Sequence, residues 1–349
     1  METTETTMMG VDPESGKTAP HNTIGLQRVL SRWDGISLLT GIIIGSGIFA
    51  SPGVVLQYLH GSAFLTLLIW LLAAFIAMNS SLIYGELGTM FPAAAGGDYD
   101  YIKNAFGDAA AFAWSFCMFW VIKAGSIAII SVTFAAYFRR AIYPSEESLS
   151  QDGDWNEKTL AVFIIVIITS VNCLTVKFAS KCMNALASLK VVLVLMIVGL
   201  MIAQLSTSTK ILVDNFHNSA EWEGLRSLDS LGPALVAALW AFDGWNDITF
   251  MSEELKSPER DIGPIIIAST TIVTITYLLC NIAYFSTLPY KRIMSTSVVA
   301  IDVADHVGGR FAAILISLLV ALSTMGTLTG SIMTGGRFMY ATARDGQVH

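Results

Sequence analysis

The sequence predicts an all-helical integral membrane protein, and three observations support this fold class. Of the 349 residues, 54% are hydrophobic and only 13% are charged, whereas soluble domains carry roughly 25% charge. The mean hydropathy is +0.61. The stretch 35–85 contains no aspartate, glutamate, lysine or arginine. Too few charges remain to cover a water-facing surface, so the apolar excess is expected to face lipid.

The apolar residues are grouped into segments long enough to cross a bilayer, for which about 20 residues are needed. Eight such helices are predicted, at 34–58, 63–88, 109–138, 159–176, 183–205, 231–254, 262–288 and 311–337. Residues 1–30 are polar and lack the apolar core of a signal peptide, so we expect a disordered tail there. Residues 31–349 form a single membrane domain in this interpretation.

Composition and motifs exclude several classes of function. The net charge of −7 and the acidic pI argue against a nucleic-acid partner. The five histidines lie in tails or loops without metal-ligand spacing, and no HExxH, GxSxG or P-loop motif occurs. The four cysteines fall in or beside apolar stretches and are expected to pack as small hydrophobic residues. We therefore predict no enzyme activity, no cofactor and no metal.

The distribution of lysine and arginine predicts the orientation in the membrane. With a cytoplasmic N-terminus, cytoplasmic segments hold ten of these residues and the opposite side holds eight. The short loops 89–108, 177–182 and 255–261, where the positive-inside rule is most reliable, carry five of the ten. The sequence therefore favours a cytoplasmic N-terminus.

The first predicted span contains an unusual glycine-rich stretch, GIIIGSGIF at 41–49, which is followed by Pro52. Gly41 and Gly45 form a small-xxx-small pair, so close helix packing is one interpretation. The other is a helix that breaks at mid-membrane, which is tolerated only where the backbone lines a cavity. The freed N–H groups of such a break suit a carboxylate.

The sixth predicted span is also unusual, because WAFDGWND at 240–247 places two acids, an amide and three aromatic residues near its centre. Ionisable groups at this depth are costly and usually functional. A solvated loop between two shorter helices is the alternative, but the flanking runs are too short to span separately. Interrupted spans five helices apart are typical of transporters built from inverted repeats. The first repeat would cover 34–205, and 231–337 would begin the second.

Two lysines also lie within predicted spans. Lys123 has about fourteen uncharged residues on each side, so its side chain is not expected to reach the membrane surface. Lys190 lies about eight residues into its span, so its ammonium could either reach the membrane surface or be buried. A buried ammonium beside a broken helix could replace a coupling cation.

The motifs resemble a known family. The stretches at 41–55, 80–102, 171–190 and 240–263 are similar to light chains of heteromeric amino-acid transporters, within the amino acid–polyamine–organocation superfamily. The similarity runs in order from about residue 30 to the last residue. WAFDGWN together with WVIKAGS at 120–126 resembles the exchangers of cystine, cationic and neutral amino acids.

This resemblance implies a leucine-transporter-type fold of twelve helices, of which the first ten form two inverted repeats. It implies sodium-independent exchange of amino acids across the plasma membrane by alternating access, with a single-pass heavy-chain glycoprotein as partner. The site residues that it implies fall in the two interrupted spans and in the fifth. The substrate-binding residues would be Ile43, Gly45, Ser46, Gly47, Trp240, Asp243 and Asn246.

Within this set, the backbone N–H groups of Ser46 and Gly47 would hold the substrate carboxylate, and the carbonyl of Ile43 would accept from its ammonium. Trp240 matches an aromatic gate, and Asp243 matches an acid that admits cationic side chains. Asn246 would lie beside the substrate. Lys190 matches the lysine that replaces sodium, and Lys123 is a further candidate.

Two departures from the family pattern affect these expectations. The loop 139–158 has no cysteine, and Ser145 and Glu146 lie near the position where relatives form a disulfide with the heavy chain. A heavy-chain partner is therefore expected to pair without a disulfide. The chain ends at His349, just after the eighth predicted span. Of the twelve helices that the resemblance implies, four would then be missing, so we expect as the alternative function a truncated form that binds a partner or the full-length chain.

Overall fold

The computed structural model describes residues 7–11, 18–22, 28–91, 96–143, 153–174, 176–218 and 228–346. Within these residues, the strand β1 (Thr7–Val11) pairs antiparallel with β2 (Thr18–Asn22). An isolated two-stranded hairpin is only marginally stable in water. The other residues of 1–27 lie outside the described residues, and the disorder of the tail stays a prediction.

The remaining regular secondary structure of the described residues is helical. The first six are α1 (Arg32–Ile43), α2 (Gly47–Tyr58), α3 (Ala63–Met90), α4 (Asp98–Phe106), α5 (Asp108–Cys117) and α6 (Ala124–Ile142). The next seven are α7 (Gly153–Leu174), α8 (Val176–Thr207), α9 (Lys210–Asn218), α10 (Leu228–Ala241), α11 (Pro258–Thr287), α12 (Tyr290–Ser295) and α13 (Val299–Arg344). A π-helical turn (Met118–Lys123) joins α5 to α6, and a 3₁₀ helix (Asp247–Glu254) follows α10.

Six helical stretches in the described residues are long and apolar enough to cross a membrane. They are α3, the continuous stretch Asp108–Ile142, most of α7, the second part of α8, α11 and α13. The helices α1 and α2 form a seventh candidate, with a bend of 43° between them. The chain is therefore a multi-pass membrane protein.

The predicted span 231–254 is divided in the structure. Helix α10 has 14 residues and the 3₁₀ helix has 8, and neither is long enough to cross a bilayer alone. Helix α13 is interrupted at Gly309, where φ is 67° and ψ is −170°. Its long part begins where the eighth span was predicted. Length and composition thus give six or seven spans, and the count of eight stays a prediction.

The helices form a buried centre and an apolar periphery. Helix α11 packs against α1, α3 and α8, and α13 packs against α6, α7 and α8. In contrast, α7 and α8 expose large apolar side chains, including Phe163 (60%) and Leu195 (65%). Such surfaces are unfavourable in water and suit contact with lipid. Helix α1 packs against α8, α11 and α13, and α2 packs against α10 and α13, so the elements that carry the predicted breaks lie in the centre of the bundle.

Near Leu30, hydrogen bonds connect the chain before α1 to the chain around the end of the 3₁₀ helix. The backbone N–H of Leu30 donates to Glu254 O at 2.9 Å, and the N–H of Lys256 donates to Leu30 O at 3.0 Å. Arg32 binds Asp261 at 2.7 Å. These contacts attach the start of α1 to the chain that follows the 3₁₀ helix.

Candidate functional site

The first span is broken between Ile43 and Gly47, which confirms the interrupted helix that the glycines predict. In the part of the chain that the structure describes, no acceptor contacts the backbone N–H groups of Gly45, Ser46 and Gly47. These groups lie at the N-terminus of α2, where the helix dipole is positive. The break therefore forms a site that favours an anion.

The glycines of this break also allow close packing. A Cβ atom added at Gly47 would overlap the Cα atom of Ala241, and one added at Gly45 would lie 2.7 Å from Thr327 Cγ2. The packing interpretation and the cavity interpretation of this stretch are therefore compatible. A larger residue at Gly47 would disturb the contact between α2 and α10 as well as the site.

The carbonyl groups of the break are held by Lys190. Its ammonium donates to Ile44 O at 2.6 Å, to Thr327 Oγ1 at 2.9 Å and to Gly41 O. The residue is only 3% exposed. Its three donors are matched by three acceptors, and the C-terminal end of a helix favours a cation. Lys190 thus supports the break from behind and does not line the cavity.

Tyr277 on α11 joins the two interrupted spans. Its hydroxyl oxygen lies 2.8 Å from Ile43 O and 2.7 Å from Ala241 O, at the last residues of α1 and α10. One hydroxyl proton serves two carbonyl groups, so both keep capacity to accept another donor. Trp70 and Phe242 pack around the tyrosine ring, with ring centroids 5.6 Å and 5.0 Å away.

The second break follows α10. Gly244 adopts a φ of 96°, a conformation that glycine permits without strain, and a Cβ atom there would lie 2.8 Å from Ile42 Cγ2. The side chain of Asp243 is exposed towards the cavity. Ser126 Oγ lies 3.5 Å from its Oδ2, at the limit of a hydrogen bond. Asp243 is therefore free to meet a ligand.

A buried ion pair lies beside this break. Lys123 Nζ is 3.0 Å from Asp247 Oδ1 and 3.2 Å from Thr334 Oγ1, and Thr334 also contacts Asp247 Oδ2 at 3.2 Å. The ring of Phe250 lies 5.5 Å from the ammonium. Only 11% of the side chain of Lys123 is exposed, so its ammonium is buried among polar groups of the bundle.

Asn246 forms hydrogen bonds with Asp98, an acidic residue at the start of α4. Its Nδ2 donates to the two carboxylate oxygens of Asp98 at 3.1 Å and 3.3 Å. Burial raises the pKa of Asp98 to about 6, against hydrogen bonds from Asn246 and Tyr84 that lower it. Asp98 is one of two aspartates in the GGDYDYI stretch, and their position in a predicted loop gave no sign that one of them reaches the cavity.

The two breaks line one cavity of about 210 Å³, compared with roughly 10–15 Å³ that one water needs on the same measure. The predicted residues that line it are Ile43, Gly45, Ser46, Gly47, Lys123, Trp240, Asp243 and Asn246. The lining residues that were not among the predicted site residues include Tyr84, Asp98, Trp114, Ser126, Asp247 and Thr327. The cavity has the size and polarity for a small, charged molecule.

A multi-pass helical bundle with two interrupted helices around a central polar cavity defines a membrane transporter. The sequence profile of the amino acid permease family matches residues 30–348. The chain belongs to this family, whose members are transporters rather than enzymes.

Similarity to individual transporters extends over nearly the whole chain. The b(0,+)-type amino acid transporter 1 of Mus musculus is 34% identical over 349 residues, which cover 100% of this chain and 69% of the relative. Its counterpart in Homo sapiens is 34% identical over 340 residues, 97% of this chain and 67% of the relative. The large neutral amino acids transporter small subunit 2 of Homo sapiens is 30% identical over 333 residues, 93% of this chain and 59% of the relative. The predicted resemblance to such transporters is confirmed.

Proposed function

We propose that the protein exchanges L-amino acids across the plasma membrane by alternating access, without sodium. Neutral amino acids are the expected substrates, and cationic amino acids and cystine are further candidates. The observation that carries this proposal is the pair of breaks around one cavity. The first break offers unpaired N–H groups for a carboxylate, and Ile43 O and Ala241 O, at the ends of α1 and α10, offer acceptors for an ammonium. An amino acid carries the complementary charges.

The substrate carboxylate would bind the N–H groups of Gly45, Ser46 and Gly47. This places an anion at the N-terminus of α2, where the dipole and the free donors both favour it. The substrate ammonium would donate to Ile43 O and to Ala241 O. Each carbonyl is contacted by the Tyr277 hydroxyl and has capacity for a second donor.

The substrate side chain would then lie among the residues of the second break. Trp240 would cover the site as an aromatic gate, and Asp243 would pair with the charge of a cationic side chain. Asn246 lines the same cavity while it donates to Asp98, so it would bound the pocket beside the substrate.

Lys190 would replace a coupling cation. The ammonium occupies a group of oxygen atoms formed by Gly41, Ile44 and Thr327. Carbonyl and hydroxyl oxygens are ligands that a hard cation such as sodium would take. With a covalently attached cation in this place, transport would not need an ion gradient.

The fold, the orientation and the partner belong to the same proposal. A leucine-transporter-type arrangement, with 34–205 as the first repeat, is consistent with breaks five spans apart. The distribution of lysine and arginine supports a cytoplasmic N-terminus. The name of one relative calls it a small subunit, which supports a larger partner for this chain. The loop 139–158 lacks cysteine, so the pairing would be non-covalent. Residues 144–152 of this loop lie outside the described residues.

Uptake into proteoliposomes tests this proposal. Labelled leucine should enter vesicles that contain the protein, faster when they are preloaded with unlabelled amino acid. Replacing sodium by choline should leave the rate unchanged. Lys190→Ala should lower uptake of every substrate, because Gly41 O and Ile44 O lose their charged donor. Uptake that requires sodium, or no uptake above that of protein-free vesicles, would contradict the proposal.

A further inference from the structure

The ion pair between Lys123 and Asp247 lies in the wall of the cavity, and the proposed function leaves it without a role. Lys123 lies in the π-helical turn, and Asp247 begins the 3₁₀ helix after the second break. Both residues line the cavity. Among the described residues, Asp247 is the carboxylate within salt-bridge distance of this ammonium. The two charges therefore cancel where a bound molecule could otherwise meet an ammonium.

Helix α13 runs past the first break and this ion pair, and it gives their approximate separation. Thr327 contacts Ile44 O at 3.4 Å, at the first break, and Thr334 contacts the ion pair at 3.2 Å. Seven residues of a helix correspond to about 10 Å along its axis. Ser331 lies between the two threonines and also lines the cavity.

An amino acid with an acidic side chain is long enough to reach from the first break to the ion pair. Four carbon–carbon bonds separate the two carboxyl carbons of glutamate, a span of about 5 Å. A C–O bond of about 1.2 Å and a charge-assisted hydrogen bond of about 2.8 Å at each end extend this to at most about 13 Å between the two donor atoms. A glutamate held by its main-chain carboxylate at the first break would therefore reach towards Lys123 with its second carboxylate.

The charges of the wall then determine which side chains are favoured. Asp243 is open to the cavity, and Lys123 is neutralised by Asp247, so these three residues leave a net charge of −1. Asp98 in the same wall adds negative charge when its carboxyl group is ionised. An anionic side chain is repelled by Asp243 and gains no free cation. Without the charge of Asp247, Lys123 would be a buried ammonium without its partner, and such a group strongly favours an incoming anion.

We propose that Asp247 determines charge selectivity, because it neutralises Lys123 and thereby discriminates against amino acids with anionic side chains. This inference rests on the proposed amino-acid transport. A purely structural role is the alternative, since the pair and Thr334 connect the third span, the second break and α13.

The test compares uptake of glutamate with that of glutamine, which has the same shape without the side-chain charge. In Asp247→Asn, the ratio of glutamate to glutamine uptake should rise at least tenfold relative to the unmodified protein. The double variant Lys123→Gln with Asp247→Asn removes both charges and should return the ratio to that of the unmodified protein. An unchanged ratio in Asp247→Asn, with glutamine uptake intact, would overturn the inference.

A second variant keeps the test decisive if Asp247→Asn does not fold. Lys123→Gln leaves the Asp247 carboxylate without its cation, so the ratio of arginine to glutamine uptake should rise. A folded Lys123→Gln protein with an unchanged ratio, or loss of fold in both single variants, would show that the pair is structural. Failure of the unmodified protein to take up glutamine would instead count against the proposed function.

Discussion

The two breaks differ in what they present to the cavity. The first, between α1 and α2, consists of Ile44, Gly45 and Ser46 and offers backbone groups without a charged side chain. The second, between α10 and the 3₁₀ helix, includes Asp243 and borders Asp247. A backbone site can bind what all amino acids share, whereas a side-chain site can discriminate among them. The comparison suggests that recognition and selectivity are assigned to different breaks.

The supporting residues differ in the same way. Behind the first break, Lys190 and Thr327 hold the carbonyl groups in place, and the ammonium has all three donors bonded. At the second break, the hydroxyl group of Ser126 lies 3.5 Å from the carboxylate of Asp243, at the limit of a hydrogen bond. A fixed geometry suits a constant ligand group, and a less constrained carboxylate suits side chains of different length.

The largest effect is expected from removing one N–H group of the first break. Ser46 has a φ of −73° and directly precedes α2, a backbone conformation that proline adopts. Ser46→Pro should lower uptake of leucine and arginine alike, by roughly 10- to 100-fold, because a hydrogen bond to a charged group contributes about 1.5–3 kcal/mol. Uptake into proteoliposomes measures both rates.

Ser46→Ala is the matched control for this variant. It removes the hydroxyl group and keeps the N–H group, so uptake should stay within about fivefold of the unmodified protein if the hydroxyl adds less than about 1 kcal/mol. If Ser46→Ala and Ser46→Pro were equally impaired, the side chain rather than the backbone would be the ligand. Gly47 is a poor choice for this purpose, because any larger residue there would collide with Ala241.

A smaller and selective effect is expected at the second break. Asp243→Asn keeps the shape of the side chain and removes its charge, so arginine uptake should fall about tenfold and leucine uptake less than about twofold. Parallel uptake of the two labelled amino acids measures the ratio. Equal loss for both substrates would show that Asp243 supports the break instead of selecting side chains.

The positions of the spans could be predicted from the sequence, because apolar segments about 20 residues long have few alternatives. The two breaks were also recognisable, since clustered glycines or clustered acids are unusual in a span. The break between α1 and α2 and the cavity-lining position of Asp243 follow directly from these signals. The interruption of 231–254 was also expected from its acids and glycine, but no signal in the sequence indicated that the part after the break is a short 3₁₀ helix.

The contacts that connect distant segments could not be predicted. Tyr277 lies in an apolar helix where nothing distinguishes it from a packing residue, yet its hydroxyl contacts both breaks. Asp98 is separated by 148 positions from Asn246, its partner. Asp247 was visible in the motif, but its pairing with Lys123 depends on how the third span packs against the second break.

The most direct test of the central claim removes the carboxylate from the substrate instead of changing the protein. Isoamylamine is leucine without its carboxylate, and agmatine is arginine without it. Inhibition of labelled leucine uptake should be weakened in both pairs, by similar factors of at least about tenfold, because the first break binds the same group in every substrate. If agmatine inhibited as well as arginine, the first break would not be the common recognition site, and the division of roles between the breaks would be wrong.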